Sequence, residues 1–165
     1  MITAKVFIDH DTTSISVADD AGDTETFVLP CGMSSLHVRH FTTDPPLPEH
    51  LTNAIGEMID HLDDARRELP LLSDTHTVVL SGRSATAVAA VEHGGLLHSS
   101  TFELSRDAAE DVFRTLATEC TADRRHNPGL PADLVDIIVG GCCAIVALFR
   151  GLQLDTVTVA MDSRS

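Results

Sequence analysis

The stretch from Ile137 to Phe149 is apolar except for Gly140 and Gly141, and it constrains the chain more than any other segment. It falls short of the ~20 residues needed to span a bilayer. The helix read over Asp133 to Arg150, ended by Gly151, is apolar almost all round. Such a helix must be covered on every side, so other elements have to wrap it. The chain has 165 residues, enough for one domain with a sizeable core and too few for two.

The first third alternates as strands. Lys5 to Asp9, Ser14 to Ala18 and Thr26 to Leu29 are short β runs joined by turn residues around Gly22 and stopped by Pro30. Short connections imply an antiparallel meander. Asp44-Pro45-Pro46-Leu47-Pro48 is a rigid turn, and Glu49 to Leu69 follows as a helix with Leu51, Ile55, Met58, Ile59 and Leu62 on one face. Thr77 to Leu80 is a buried strand, and Ser84 to Val91 is compatible with a helix. Ser105 is a fitting N-cap for a helix reaching about Cys120, with Ala109, Val112, Phe113 and Leu116 inward. Asp155 to Ala160 is a last strand. The order is βββ–α–β–α–α–α–β, an α/β domain with a mixed sheet.

Eleven Lys and Arg against 25 Asp and Glu give a net charge of −14. A chain this acidic repels polyanions, which argues against binding nucleic acid or an anionic membrane face. The residues Met1 to Asp9 lack a signal-peptide pattern, so a cytoplasmic location is expected. Cys31, Cys120, Cys142 and Cys143 show no Cys-x-x-Cys spacing and read as reduced thiols, buried where Cys142 and Cys143 sit in the apolar run.

Two segments could carry chemistry. In Asp9-His10-Asp11-Thr12-Thr13-Ser14, an acid leaving a buried strand is followed by hydroxyl residues, a pattern that can hold a divalent cation through Asp9 and Asp11 and face a phosphate with Ser14. The same residue types also make an ordinary turn. Asp9-x-Asp11-x-Thr13 is similar to the haloacid-dehalogenase nucleophile motif. That chemistry needs a downstream cation, usually lysine, and Lys5 is the sole lysine and lies upstream. The second segment, Ser81 to Thr86, joins a strand to a helix. There Gly82, Arg83 and Ser84 could cradle a phosphate, or Ser84 could simply cap the helix. His37 and His40 can share a helix face but have no recognised metal spacing, and Arg124-Arg125 reads as a solvated or ion-paired corner.

Taken in order, these segments resemble the second lobe of the Ppx/GppA phosphatases, the exopolyphosphatases and guanosine pentaphosphate phosphatases. Asp123 to Leu130 followed by Ala132 to Gly141 is similar to the family's Glu-Arg-…-Leu-Pro-Gly-Leu stretch and its Ala-Asp-x-Ile-…-Ala-Gly helix. Phe102 to Arg106 resembles the Leu-Thr-Arg helix entry, Leu29 to Gly32 the Leu-Pro-x-Gly turn, and Asp44-Pro45-Pro46 with the helix after it also fits. The resemblance implies an actin-like (ribonuclease-H-like) ATPase lobe, one of two around a phosphate cleft. Active members open this lobe with Asp-x-Gly-Gly-Gly-Ser-x-Glu. Here only Asp9 and Ser14 match; Asp11, Thr12 and Thr13 replace the glycines, and Ser16 replaces the acid. The later Gly-Gly-Thr loop reads Gly82-Arg83-Ser84.

Threonine in a left-handed loop position costs roughly 1–2 kcal/mol, and Ser16 removes an implied magnesium ligand. The resemblance therefore implies a degenerate lobe that acts by binding or assembly, with itself or a protein partner. Two alternatives stand beside it: a magnesium-dependent phosphohydrolase on polyphosphate or guanosine penta/tetraphosphate with a cleft rebuilt by dimerisation, and a nucleotide or small-phosphate sensor.

Overall fold

A computed structural model describes residues 2–75 and 77–161. Its strands are β1 (Thr3–Ile8), β2 (Thr13–Ala18), β3 (Thr24–Leu29), β4 (Thr77–Ser81), β5 (Thr101–Ser105) and β6 (Thr156–Ala160). The helices are α1 (Met33–His40), α2 (Pro48–Glu68), α3 (Arg83–His93), α4 (Arg106–Thr118), α5 (Thr121–Arg124) and α6 (Ile138–Gly151). One sheet runs in the order β3-β2-β1-β4-β6-β5. The expected meander is present: β1 pairs antiparallel with β2, and β2 with β3. β4 lies parallel to both β1 and β6, and β5 is antiparallel to β6.

Side chains alternate along each strand, and one face is sealed. Ala4, Val6, Ile8, Ile15, Val17, Val78, Leu80, Leu104, Val157 and Val159 are all buried. The other face is open and carries mostly small or hydroxyl residues, with Phe7 and Val28 exposed. Every residue from Ile138 to Phe149 is buried, and α1, α2, α3 and α4 all pack against α6. The apolar run is thus wrapped by four helices, as an all-apolar surface requires.

Several expectations are corrected. The last helix begins at Ile138 rather than Asp133, because residues 132–134 form a 3-10 turn after Pro131. Two further elements, α1 and β5, stand where no helix or strand was expected, and α5 adds a single turn. Ser105 does cap α4, its Oγ accepting from the Ala108 N–H at 3.1 Å. Cys31, Cys142 and Cys143 are buried free thiols, and Cys120 is partly exposed. Among the described residues no helix is long and apolar enough to cross a membrane.

Close helix packing rests on Gly140. A Cβ there would overlap the Met33 carbonyl oxygen of α1. Gly140→Ala is therefore expected to lower the unfolding free energy by about 2 kcal/mol through overpacking, measured by urea denaturation. A second tie joins α4 to α6. Arg150 donates to both oxygens of Glu110, at 3.0 and 2.7 Å, and holds that carboxyl below its ordinary 4.5 against the opposing effect of burial. The depressed folded value means the tie stabilises above about pH 4.5 and is lost as the pH falls through the lower folded value. Stability should decline below pH 4.5, and Glu110→Gln should flatten part of that decline, as read by thermal melts across pH.

Candidate functional site

The two segments singled out in the sequence come together at the carboxyl ends of the parallel pair β1 and β4, where α/β sheets place their ligands. The β1–β2 turn carries Asp9, His10 and Asp11, all exposed. The β4–α3 turn carries Gly82, Arg83 and Ser84. Gly82 has φ +112°, and a Cβ on it would overlap the Ile8 carbonyl oxygen. Glycine is required at this point so that the two turns can touch.

A third piece completes the corner. The N-terminus of α1 abuts the β1–β2 turn, and its free N–H groups are taken up by that turn. Met33 N–H donates to Asp9 O at 2.9 Å, and Ser34 and Ser35 N–H donate to His10 O at 2.8 and 3.1 Å. The helix N-cap, Gly32, leaves room for this; a Cβ would overlap the Asp9 carbonyl oxygen. The imidazole Nδ1 of His10 is paired with Ser34 Oγ at 2.6 Å. A helix start ordinarily offers open donors and a positive dipole end to an anion. At the start of α1 backbone carbonyls already occupy the donors.

The candidate residues fare differently from one another. Asp9 accepts from the His10 N–H at 2.8 Å, and Asp11 stands beside it at the surface. Thr12 and Thr13 avoid the left-handed strain expected of them: Gln153 is the one non-glycine with positive φ among the described residues. Thr13 instead begins β2, buried, with its Oγ1 donating to Cys31 O at 2.9 Å. Ser14, next along the strand, lies on the open sheet face in one cross-strand row with Val28, Phe7 and Ser81. It does not line the turn. Arg83 is engaged by Asp133 through both guanidinium amines, with Nη2 to Oδ1 at 2.8 Å, and this bond together with the guanidinium charge draws the Asp133 carboxyl below its usual range. Ser84 is fully buried, its Cβ near Gly141 of α6, and its Oγ has no hydrogen-bond partner among the described residues. Its hydroxyl is an interior packing group and does not face the surface.

Of the pair read as a solvated or ion-paired corner, Arg125 is exposed, while Arg124 is buried and lies 3.8 Å from Asp44 Oδ1, so for Arg124 the ion-paired reading holds and the solvated one is corrected. Arg124 is 2% exposed, and its guanidinium donates to Leu116 O, Val135 O and Glu119 O at 2.9, 3.0 and 2.6 Å. It ties the end of α4 to the segment before α6. His37 and His40 do share α1 but not a site: His37 packs edge-on against Phe41, and His40 bonds Glu57. Sequence reading missed Asp133 and Gly32 as parts of the corner. The Gly-x-Ser start of α1 next to a strand end is the signal that could have found the second.

Solved structures share this fold. An exopolyphosphatase-like protein aligns with a TM-score of 0.89 at 17% identity, covering 96% of this chain and 55% of that one. The Aquifex aeolicus PPX-GPPA enzyme aligns at 0.85 and 17%, covering 97% and 53%. An exopolyphosphatase from Cytophaga hutchinsonii aligns at 0.76 and 14%, covering 97% and 53%. The chain spans about half the length of the structures it matches. No family sequence model and no curated protein sequence matches it. The likeness is one of fold, and it bears out the actin-like lobe with a mixed sheet expected above.

The two arginines should separate cleanly on mutation. Arg124→Met leaves three buried carbonyls without their charged donor and is expected to cost about 3 kcal/mol. Arg83→Ala breaks an exposed pair and should change stability by less than about 1 kcal/mol. Denaturant melts of both variants beside the native chain give the comparison.

Proposed function

We propose that this chain is a degenerate relative of the Ppx/GppA second lobe, a single domain that acts by binding or assembly rather than by turnover. One observation carries the reading: the α1 donors facing the phosphate corner are already spent on the Asp9 and His10 carbonyls. Arg83 is likewise held by Asp133, and Ser84 is buried. A phosphate entering beside α1 would have to displace intramolecular bonds before gaining its own. The net charge of −14 adds a long-range penalty for a polyanionic substrate. The partner is a second copy or another protein.

A hydrolase reading has one specific support: Asp9 and Asp11 are exposed carboxylates at the carboxyl end of β1, beside the glycine of the β4–α3 turn. In that reading they hold Mg2+, with Gly82 and Arg83 facing phosphate across a cleft that a second copy completes. A sensor would use the same corner for a nucleotide or small phosphate without cleavage.

The full chain at high concentration, with Mg2+ and polyphosphate or guanosine pentaphosphate, is expected to release no phosphate above the blank. Thermal shifts with nucleotides and inorganic phosphates should be flat, and light scattering should show a species larger than one chain. Phosphate release that collapses in Asp9→Asn would replace this reading with the hydrolase. A ligand-dependent shift without release would replace it with the sensor, and a strict monomer would count against assembly with itself.

A further inference from the structure

We infer that Cys31, Glu57 and His61 form a binding site for a borderline-soft divalent cation of the zinc type, where the β3–α1 turn meets α2. One donor atom from each residue lies within 4.8 Å of the other two. Glu57 and His61 are one turn apart on α2 and so share a face. Cys31 comes from the far side, fully buried in the turn that precedes α1. Its thiol donates to Met58 Sδ at 3.3 Å, which sets the sulfur against the same stretch of α2. The side chains of Glu57 and His61 retain 21% and 24% of their exposure, enough for an ion to enter from solvent.

The donor set selects the cation. Thiolate sulfur, imidazole nitrogen and one carboxylate oxygen suit tetrahedral zinc with a fourth position left to water; the thiol makes the site unsuited to magnesium or calcium. It is therefore distinct from the Asp9 and Asp11 turn in chemistry as well as place. Neighbours already orient the carboxylate. Arg39 donates to both Glu57 oxygens, Nε to Oε1 at 2.9 Å, and His40 Nε2 lies 2.8 Å from Oε1. Outer contacts of this kind hold a metal-binding carboxylate in place. Burial pushes the Glu57 carboxyl up, but the bonds from Arg39, His40 and His61 outweigh it and hold the group down at about 2, so the ligand is ionised.

Burial, and then the Glu57 charge, pushes the Cys31 thiol up to about 12. Coordination accordingly breaks the S–H bond, forms a sulfur–metal bond and releases one proton to solvent, with no change of oxidation state. The bound ion would clip the β3–α1 turn to the middle of α2 and stabilise the folded chain by mass action.

The test is titration of the metal-stripped full chain with Co2+ as a spectroscopic probe, followed by Zn2+ in calorimetry. One equivalent of Co2+ should produce a sulfur-to-cobalt charge-transfer band that Zn2+ abolishes. Cys31→Ser should lose the band, and Cys120→Ser should keep it. His61→Ala, on a partly exposed ring, should weaken Zn2+ binding at least tenfold, and Arg39→Ala should weaken it by about tenfold through the carboxylate it orients. Absence of the band in the native chain, its persistence in Cys31→Ser, or unchanged Zn2+ affinity in His61→Ala would each overturn the assignment. The last variant decides the matter if Cys31→Ser fails to fold.

Discussion

A helix without a polar side is the constraint from which the rest of the structure follows. α6 has nothing to offer water from Ile138 to Phe149, so four helices must close around it. Closing that tightly requires places where backbones touch, and Gly140 supplies one by admitting the Met33 carbonyl. That contact fixes where α1 begins. Once α1 begins there, its leading N–H groups face the β1–β2 turn and draw in the carbonyls of Asp9 and His10. The shape of the candidate corner is thus set by a packing demand in the core, several residues removed from any chemistry.

This order of causes explains the state of the corner. Backbone donors at a helix start are a limited resource, and here the fold brings acceptors from the β1–β2 turn against them. With Asp11, Thr12 and Thr13 in the loop, the chain after β1 turns with ordinary φ values and enters β2 at Thr13. A turn of this form brings its own carbonyls to the helix. Arg83 follows the same logic, since Asp133 is a bidentate partner of opposite charge always within reach.

Much of the framework was legible because its signals are local. α2 shows helical spacing from Leu51 to Leu62, about three turns, Ser105 caps α4 as a serine there should, and the meander alternates with period two. What escaped was decided at a distance. β5, Thr101–Ser105, alternates too weakly to declare itself; it is a strand because β6, some fifty residues later, pairs with it. α1 has a short, mixed sequence and owes its start to acceptors in another loop. Arg124 is of a residue type usually found at the surface, and three carbonyls converging from α4 and the 119–135 segment, with the Asp44 carboxylate nearby, make its burial tolerable. At the site, the hydroxyls of Ser14 and Ser84 were plausible by type, yet strand parity sends one to the open face and helix packing buries the other.

The place of β6 in the sheet has a consequence for how the chain is made. β1, β2 and β3 can pair as soon as they leave the ribosome, but the outer edge of β1 waits for β4, and β4 and β5 both wait for β6. β6 is inserted between two strands that are synthesised before it. Until β6 emerges, the nascent chain therefore carries two unsatisfied strand edges. Open edges of this kind template pairing with other strands, so the stretch of synthesis between β4 and β6 is the one most exposed to misassociation.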